Sequence, residues 1–334
     1  MRVFITGTAG FIGFHLAELL LQEGFTVHGF DGMTDYYDVA LKRDRHALLG
    51  QHPRFTATEA LLEDDTALNA AMDACAPDVI VHLAAQAGVR YSIDNPRAYV
   101  DANIIGSFNV MEAARRHRPR HLLMASTSSV YGANDLMPYA ETHKADTQMS
   151  FYAATKKANE AMAHSWAHIH GLPITMFRFF TVYGPWGRPD MALFKFTKAI
   201  LNGEAIDVYN HGEMWRDFTY VTDLVHGIRL LIDAVPGGPE TAVPGDSLSP
   251  VAPWRVVNIG NSDKVRLEAF IEAIEAATGH KAIRNDMDMQ PGDVPATWAD
   301  ATLLRALTGY APATDIRNGV ERFVEWYQEY YAEG

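Results

Sequence analysis

Arg2-Val3-Phe4-Ile5-Thr6-Gly7-Thr8-Ala9-Gly10-Phe11-Ile12-Gly13 is the stretch that decides the fold. Its first five residues are largely β-branched and apolar, the pattern of a buried strand. The three glycines then space out as Gly7-x-x-Gly10-x-x-Gly13, and the stretch His15 to Glu23 that follows has helical amphipathicity. Glycines at that spacing permit a tight turn, a close approach of backbone to a pyrophosphate, and close packing of a helix whose first amides face the anion. A second short strand, Phe25 to Phe30, ends at Asp31, 18 residues beyond Gly13. A carboxylate there accepts hydrogen bonds from an adenosine ribose and repels a 2'-phosphate, which favours NAD over NADP.

Outward from this unit the alternation continues. Val79 to Leu83 and His121 to Ala125 read as buried strands, separated by helical stretches Thr66 to Cys75 and Asn103 to Arg116. Strands alternating with helices imply an α/β fold, a Rossmann-type doubly wound parallel sheet with right-handed crossovers. Beyond Phe180 the pattern loosens, and Gly184 to Pro189 reads as a loop. Thr222 to Ala234 again looks helical and Val256 to Gly260 looks like a strand returning to the sheet. The expected division is therefore discontinuous: a dinucleotide-binding domain over 1–178 with a return near 218–262, and a smaller mixed α/β cap over 179–217 and 263–334. Pro236 to Pro253, rich in Pro, Gly and Ser, reads as a mobile surface loop.

Composition narrows the function classes. The chain of 334 residues is 48% hydrophobic and 21% charged, ordinary for a globular protein. No apolar run approaches the roughly 20 residues of a membrane helix, so neither a membrane role nor a signal peptide is expected, and the cytoplasm is the natural compartment. The formal net charge of -13 repels nucleic-acid backbones and requires any anionic substrate to be held by locally placed cations. Cys75, the single cysteine, precludes an internal disulfide and reads as a small core residue. His164-x-x-x-His168-x-His170 has a spacing that one helix uses to grip a metal, but no Glu stands in a His-Glu-x-x-His arrangement, so no metal is expected and these are read as surface or interface histidines.

A second constellation carries chemistry. Tyr152-Ala153-Ala154-Thr155-Lys156 puts a phenol and an ammonium one helical turn apart. A phenol is a poor base at neutral pH unless a nearby cation stabilises its phenolate. Ser126-Thr127-Ser128-Ser129 directly follows a strand and offers hydroxyls to share a hydrogen bond with the substrate oxygen.

Together with His82-Leu83-Ala84-Ala85, Asn103, Val130-Tyr131-Gly132 and Arg216-Asp217-Phe218, these residues resemble the extended short-chain dehydrogenase/reductase family, the sugar-nucleotide epimerases and dehydratases, in order and over essentially the whole chain. Three segments, His82 to Ser92, Arg178 to Ala192 and Gln290 to Val294, resemble those of UDP-glucuronate 4-epimerases. The resemblance implies Tyr152 as base, Lys156 as its partner and ribose ligand, and Thr127 as the bridging hydroxyl. It implies NAD held by Gly7, Gly10, Phe11, Ile12, Gly13, Asp31, Leu83, Ala84, Ala85, Asn103, Tyr152 and Lys156. For the UDP-sugar it implies Ser128, Ser129 and Thr181 around a carboxylate, Arg90, Arg188 and Arg216 as cations, and Gln290 and Asp293 from the third segment. A homodimer is implied as well. Two positions depart from the family pattern: Leu61 stands where an Asp usually contacts adenine, and Met33 where Asn commonly follows the ribose-binding Asp.

Alternatives share the cofactor half. Dehydratases resemble Thr-Asp-Glu before Val130-Tyr131-Gly132, since eliminating water needs an added acid and base, and uronate decarboxylases carry a Glu there; this chain has hydroxyls only. A UDP-hexose 4-epimerase, a decarboxylase and a non-catalytic dinucleotide sensor remain the competing readings.

Overall fold

The computed structural model describes residues 1–289 and 294–332. Seven parallel strands form the central sheet: β1 (Arg2–Thr6), β2 (Thr26–Asp31), β3 (Phe55–Glu59), β4 (Val79–His82), β5 (His121–Thr127), β6 (Ile174–Phe179) and a final strand, Trp254–Ile259. Their spatial order is Trp254–Ile259, β6, β5, β4, β1, β2, β3, so the chain winds outward from β1 in both directions. The order reverses between β1 and β4, and open α/β sheets bind ligands at the carboxyl ends of the strands flanking such a point.

The apolar runs are continuous because both faces of the sheet are covered. Val3 and Ile5 point into one core with Phe14, Leu16 and Leu20 of helix α1 (Phe11–Gln22) and with Leu224 and Ile228 of helix Val221–Leu231. Phe4, with the opposite pleat, enters a second core with Ile80, Leu122, Met111 and Ala163. Cys75 lies half-buried at the edge of that second core. A third core, built from Phe194, Val208, Phe270, Val320 and Phe323, lies beyond the sheet and includes Phe218 stacked on Phe270 at 4.3 Å.

The structure corrects the sequence-based expectation for one helix. Asn103 to Arg116 is not one α-helix: Val100–Gly106 is a π-helical segment that passes into an α-helix at Ser107–His117. Asn103 sits within the π-helical segment, and such a widened turn frequently marks a functional site. The stretch from Pro236 to Pro253 lacks periodicity, and its second half makes contacts with neighbouring elements. His168 donates to the Val251 carbonyl (2.8 Å), His164 hydrogen-bonds with Ser249 (2.8 Å), and Asp246 pairs with buried Arg255 (3.3 Å). Two of the three histidines flagged by their spacing thus anchor this loop to helix Phe151–His170. No helix among the described residues is long and apolar enough to cross a membrane.

Candidate active site

The glycine turn is dictated by its own backbone. Gly7 has φ +85°, a left-handed conformation that L side chains rarely adopt, and its N–H donates to the Phe30 carbonyl at 2.7 Å. A Cβ at Gly13 would stand 2.0 Å from the Gly7 carbonyl oxygen, and one at Gly7 would stand 2.8 Å from the Ala84 amide nitrogen. The turn closes only without side chains at these points. Helix α1 begins at Gly10 with no side-chain cap, which leaves its first amides available to an anion in the cleft. Asp31, buried at the end of β2, accepts from the amides of Ala9 and Met33, each at 2.9 Å.

Leu83, Ala84 and Ala85 continue β4 and form the facing wall. Their backbone is set by Thr6, whose Oγ1 accepts from the amides of both Leu83 and Ala84 at 3.1 Å. The Thr6 hydroxyl proton therefore goes to His82 Nδ1 (2.7 Å), which places the imidazole proton on Nε2, facing Ser107 Oγ at 3.0 Å. Burial, reinforced by the Lys156 charge, lowers His82 to about 3 and keeps this relay neutral.

Tyr152 and Lys156 lie on helix Phe151–His170, whose N-cap Ser150 accepts from the Ala153 amide at 3.1 Å. Lys156 is buried and donates to the Ala125 carbonyl of β5 at 3.0 Å; burial lowers it to about 8. Burial raises Tyr152, opposed by a hydrogen bond with Thr127 and by the Arg188 charge. Beneath them, Glu160 accepts from Ser126 (2.7 Å) and, one carboxylate oxygen each, from Nε and Nη2 of Arg178 (2.9 and 2.8 Å). Burial pushes the Glu160 carboxyl up, but Arg178 outweighs it and holds the carboxylate charged. This pair fixes the end of β5, where Thr127 stands, against the helix that carries Tyr152.

Gly7, Gly10, Phe11, Ile12, Gly13, Asp31, Leu83, Ala84, Ala85, Thr127, Tyr152, Lys156 and Arg188 all line one cleft of about 520 Å³. Ser128 and Ser129 follow in a half-buried 3-10 turn, with the Ser129 amide donating to Thr127 Oγ1 at 3.2 Å. Thr181, half-buried, stands between the wall residues Phe180 and Val182. Leu61 also lines the cleft.

Among the described residues, the lining of this cleft does not include Ser128, Ser129, Thr181, Asn103, Arg90 or Arg216. Asn103 is fully buried and its amide is spent on the Gln86 backbone (2.8 and 3.0 Å) and on Thr155 (3.1 Å), so it shapes the wall from behind. The exposed Arg90 packs its guanidinium over the Tyr209 ring at 4.6 Å, and Arg216 donates to the Trp215 carbonyl at 2.9 Å. Gln290 and Asp293 lie outside the described residues.

Three wall residues, Tyr36, Tyr37 and Lys42, and Arg45 behind the wall carried no motif that marked them in the sequence. Tyr36 donates to Asp190 (3.1 Å), which also accepts from Nε and Nη2 of Arg188 (2.9 and 2.5 Å). Lys42 donates to the Thr34 carbonyl at 2.5 Å. The only advance signal was the spacing of Lys42 and Arg45 on one side of helix α2 (Val39–Gly50), which is equally that of a solvated helix face.

A glycine turn and a Tyr-x-x-x-Lys helix that face one cleft at the switch point of a parallel sheet define the class: a dinucleotide-using enzyme of the extended short-chain dehydrogenase/reductase type. The profile of the NAD dependent epimerase/dehydratase family matches residues 3–243, and the chain belongs to that family. A relative named "Probable UDP-glucuronate 4-epimerase" from Rhizobium meliloti is 56% identical over 336 residues, 99% of this chain and 98% of that protein. UDP-glucuronate 4-epimerase 1 of Arabidopsis thaliana is 43% identical over 99% of this chain and 77% of its own length. Among solved structures, UDP-glucuronic acid 4-epimerase from Bacillus cereus, in complex with UDP-glucuronic acid and NAD, superposes with a TM-score of 0.88 at 29% identity, covering 99% of this chain and 100% of that one.

Proposed function

We propose that this enzyme interconverts UDP-glucuronate and UDP-galacturonate by 4-epimerisation with tightly held NAD. The observation that carries the reading is the hydroxyl-only turn Thr127-Ser128-Ser129 beside Tyr152, in a chain similar along its whole length to proteins bearing the UDP-glucuronate 4-epimerase name. The glycine cradle and the uncapped start of α1 suit a pyrophosphate, and Asp31 suits an adenosine ribose.

Bound NAD supplies a reversible hydride acceptor for carbon 4 of the sugar and, when oxidised, a positive charge at the nicotinamide end of the cleft. Tyr152 takes the 4-hydroxyl proton and later returns it, with Thr127 bridging its phenol to the sugar oxygen. Lys156 holds the ribose and, while charged, favours the phenolate. The 4-keto sugar is a β-keto acid, prone to lose carbon dioxide. Thr127, Ser128, Ser129 and Thr181 hold its carboxylate by hydrogen bonds that keep the C–C bond from aligning for cleavage, whereas a Glu in that turn would repel it. Arg188 offers charge to the anionic substrate. The same reading includes a cytoplasmic setting and a homodimer, the latter supported by exposed Ile105, Phe108 and Phe151 on three helical segments, Val100–Gly106, Ser107–His117 and Phe151–His170.

NMR of the products formed from UDP-glucuronate tests the proposal. The wild type is expected to yield UDP-galacturonate, and Tyr152→Phe to lose about a thousandfold or more in turnover while retaining NAD. A pentose product with carbon dioxide, equal turnover of UDP-glucose, or a fully active Tyr152→Phe would overturn it.

A further inference from the structure

Arg45 is fully buried, and its acceptors among the described residues are all neutral. Nη1 donates to the Ala9 carbonyl (2.7 Å) and to the Tyr37 hydroxyl (2.8 Å), while Nη2 donates to the carbonyls of Trp186 (2.5 Å) and Gly187 (3.4 Å). Burying a guanidinium is costly, and an apolar side chain of similar volume would serve packing alone at least as well. What an apolar residue lacks is a rigid planar fork that joins the Ala9 carbonyl to the Trp186 carbonyl, which lies 141 residues from Arg45 along the chain.

Each of those segments belongs to one half of the site. Ala9 lies inside the glycine turn, with its N–H on Asp31 and its carbonyl on Arg45, so its peptide is pinned from both sides. Trp186 and Gly187 lead directly into Arg188. His15 of α1 reinforces the same join by donating to the Pro185 carbonyl at 2.9 Å; burial lowers it to about 4, so it is neutral and keeps that proton. Beyond Arg188 the chain of contacts runs through Asp190 to Tyr36, on the segment that follows Asp31. The circuit closes on itself: Asp31, Ala9, Arg45, Trp186, Arg188, Asp190, Tyr36 and back along the chain to Asp31.

Resting on the function proposed above, we propose that Arg45 is a positioning residue that locks the Arg188 loop onto the glycine turn, so that NAD and the UDP-sugar are held as a coupled pair. Coupling of this kind is reciprocal: whatever orders the loop also tightens the turn. A firmly held cofactor is what an enzyme needs when it must give back the hydride it takes.

The test uses the NAD-loaded enzyme and UDP as probe, and reads the rate of NAD release with and without UDP. In the wild type UDP should slow release by about tenfold. Arg45→Lys keeps the charge but reaches only one side; NAD should leave about tenfold faster, UDP should slow its release less than about twofold, and the KM for UDP-glucuronate should rise about tenfold with kcat within about threefold. A wild type in which UDP leaves NAD release unchanged overturns the proposal. So does an Arg45→Lys enzyme that loses NAD faster but keeps the full UDP effect, which is what mere destabilisation would give. Should Arg45→Lys fail to fold, Tyr37→Phe removes one acceptor that orients the fork; a reduced UDP effect there supports the proposal and an unchanged one overturns it. Because the release assay needs no turnover, a wild type inactive on UDP-glucuronate would refute the assigned reaction while leaving this ratio readable.

Discussion

The glycine turn at residues 7–13 and the loop at residues 184–190 border the same cleft and touch the same arginine, yet they are specified in opposite ways. The turn closes through its own backbone, since the Gly10 amide donates to the Gly7 carbonyl at 3.0 Å and a side chain at Gly13 would collide with that same oxygen; Asp31 and Arg45 then grip the Ala9 peptide of a turn already closed. The loop is held by side chains that arrive from elsewhere, His15, Arg45 and Tyr36, and by Trp186, which packs against Phe14 at 5.6 Å and Trp326 at 5.3 Å. A segment whose constraints are local announces itself in sequence. One whose constraints are tertiary does not.

The largest expected effect comes from breaking the local constraint. Gly13→Ala must push a Cβ against backbone that has nowhere to move, so the turn opens. A stability loss of about 3 kcal/mol and purification without NAD are expected, read by thermal unfolding and by nucleotide extracted from the denatured protein. A variant that keeps both full NAD content and wild-type stability would show that the turn tolerates a side chain and that the contrast is false.

A smaller effect should come from acid. Burial lowers His15 to about 4, His82 to about 3 and His121 to about 4, so from about pH 6.5 downward the unfolded state takes up protons that the folded state refuses, and stability falls. Two buried carboxyls act oppositely: burial raises Glu141 to about 7 and Asp217 to about 6, so each gains stability as pH falls through those values. Burial also lowers His28 and His46 and raises Glu18, so lowered histidines outnumber raised carboxyls and stability should fall from about pH 6 to 4.5, read by denaturant unfolding at each pH. Since His15 is the one of these histidines that grips the loop, hydrogen exchange at residues 184–190, corrected for intrinsic rate, should rise more between about pH 7 and 5 than at residues 7–13. Equal changes in both segments would remove the distinction.

The same contrast sets how much was legible. The strand-turn-helix unit, the parallel sheet, Asp31 and the Tyr152/Lys156 pair were readable because each rests on short-range periodicity or spacing, and all of them meet at the cleft. Asn103 was legible as a site residue but its part in the site was not, since only the fold shows its amide saturated by Gln86 and Thr155. For Arg90 likewise, only the fold shows that its guanidinium lies over Tyr209. Arg45 and Tyr36 carried no signal, because what marks them is the distant carbonyl or carboxylate they meet. The histidines at helical spacing, His164 and His168, carry a structural part that their spacing does not announce, since the partners they meet, Ser249 and Val251, lie 85 and 83 residues away.

Everything assigned to the cleft rests on hydride leaving carbon 4 and coming back to it within one closed site. UDP-glucuronate deuterated at carbon 4, converted in ordinary water and followed by NMR of the products, tests this directly. UDP-galacturonate with deuterium retained at carbon 4, and no deuterium in the solvent, is the expected outcome. UDP-galacturonate carrying solvent hydrogen at that carbon would mean inversion by proton exchange, and the hydride mechanism would be wrong.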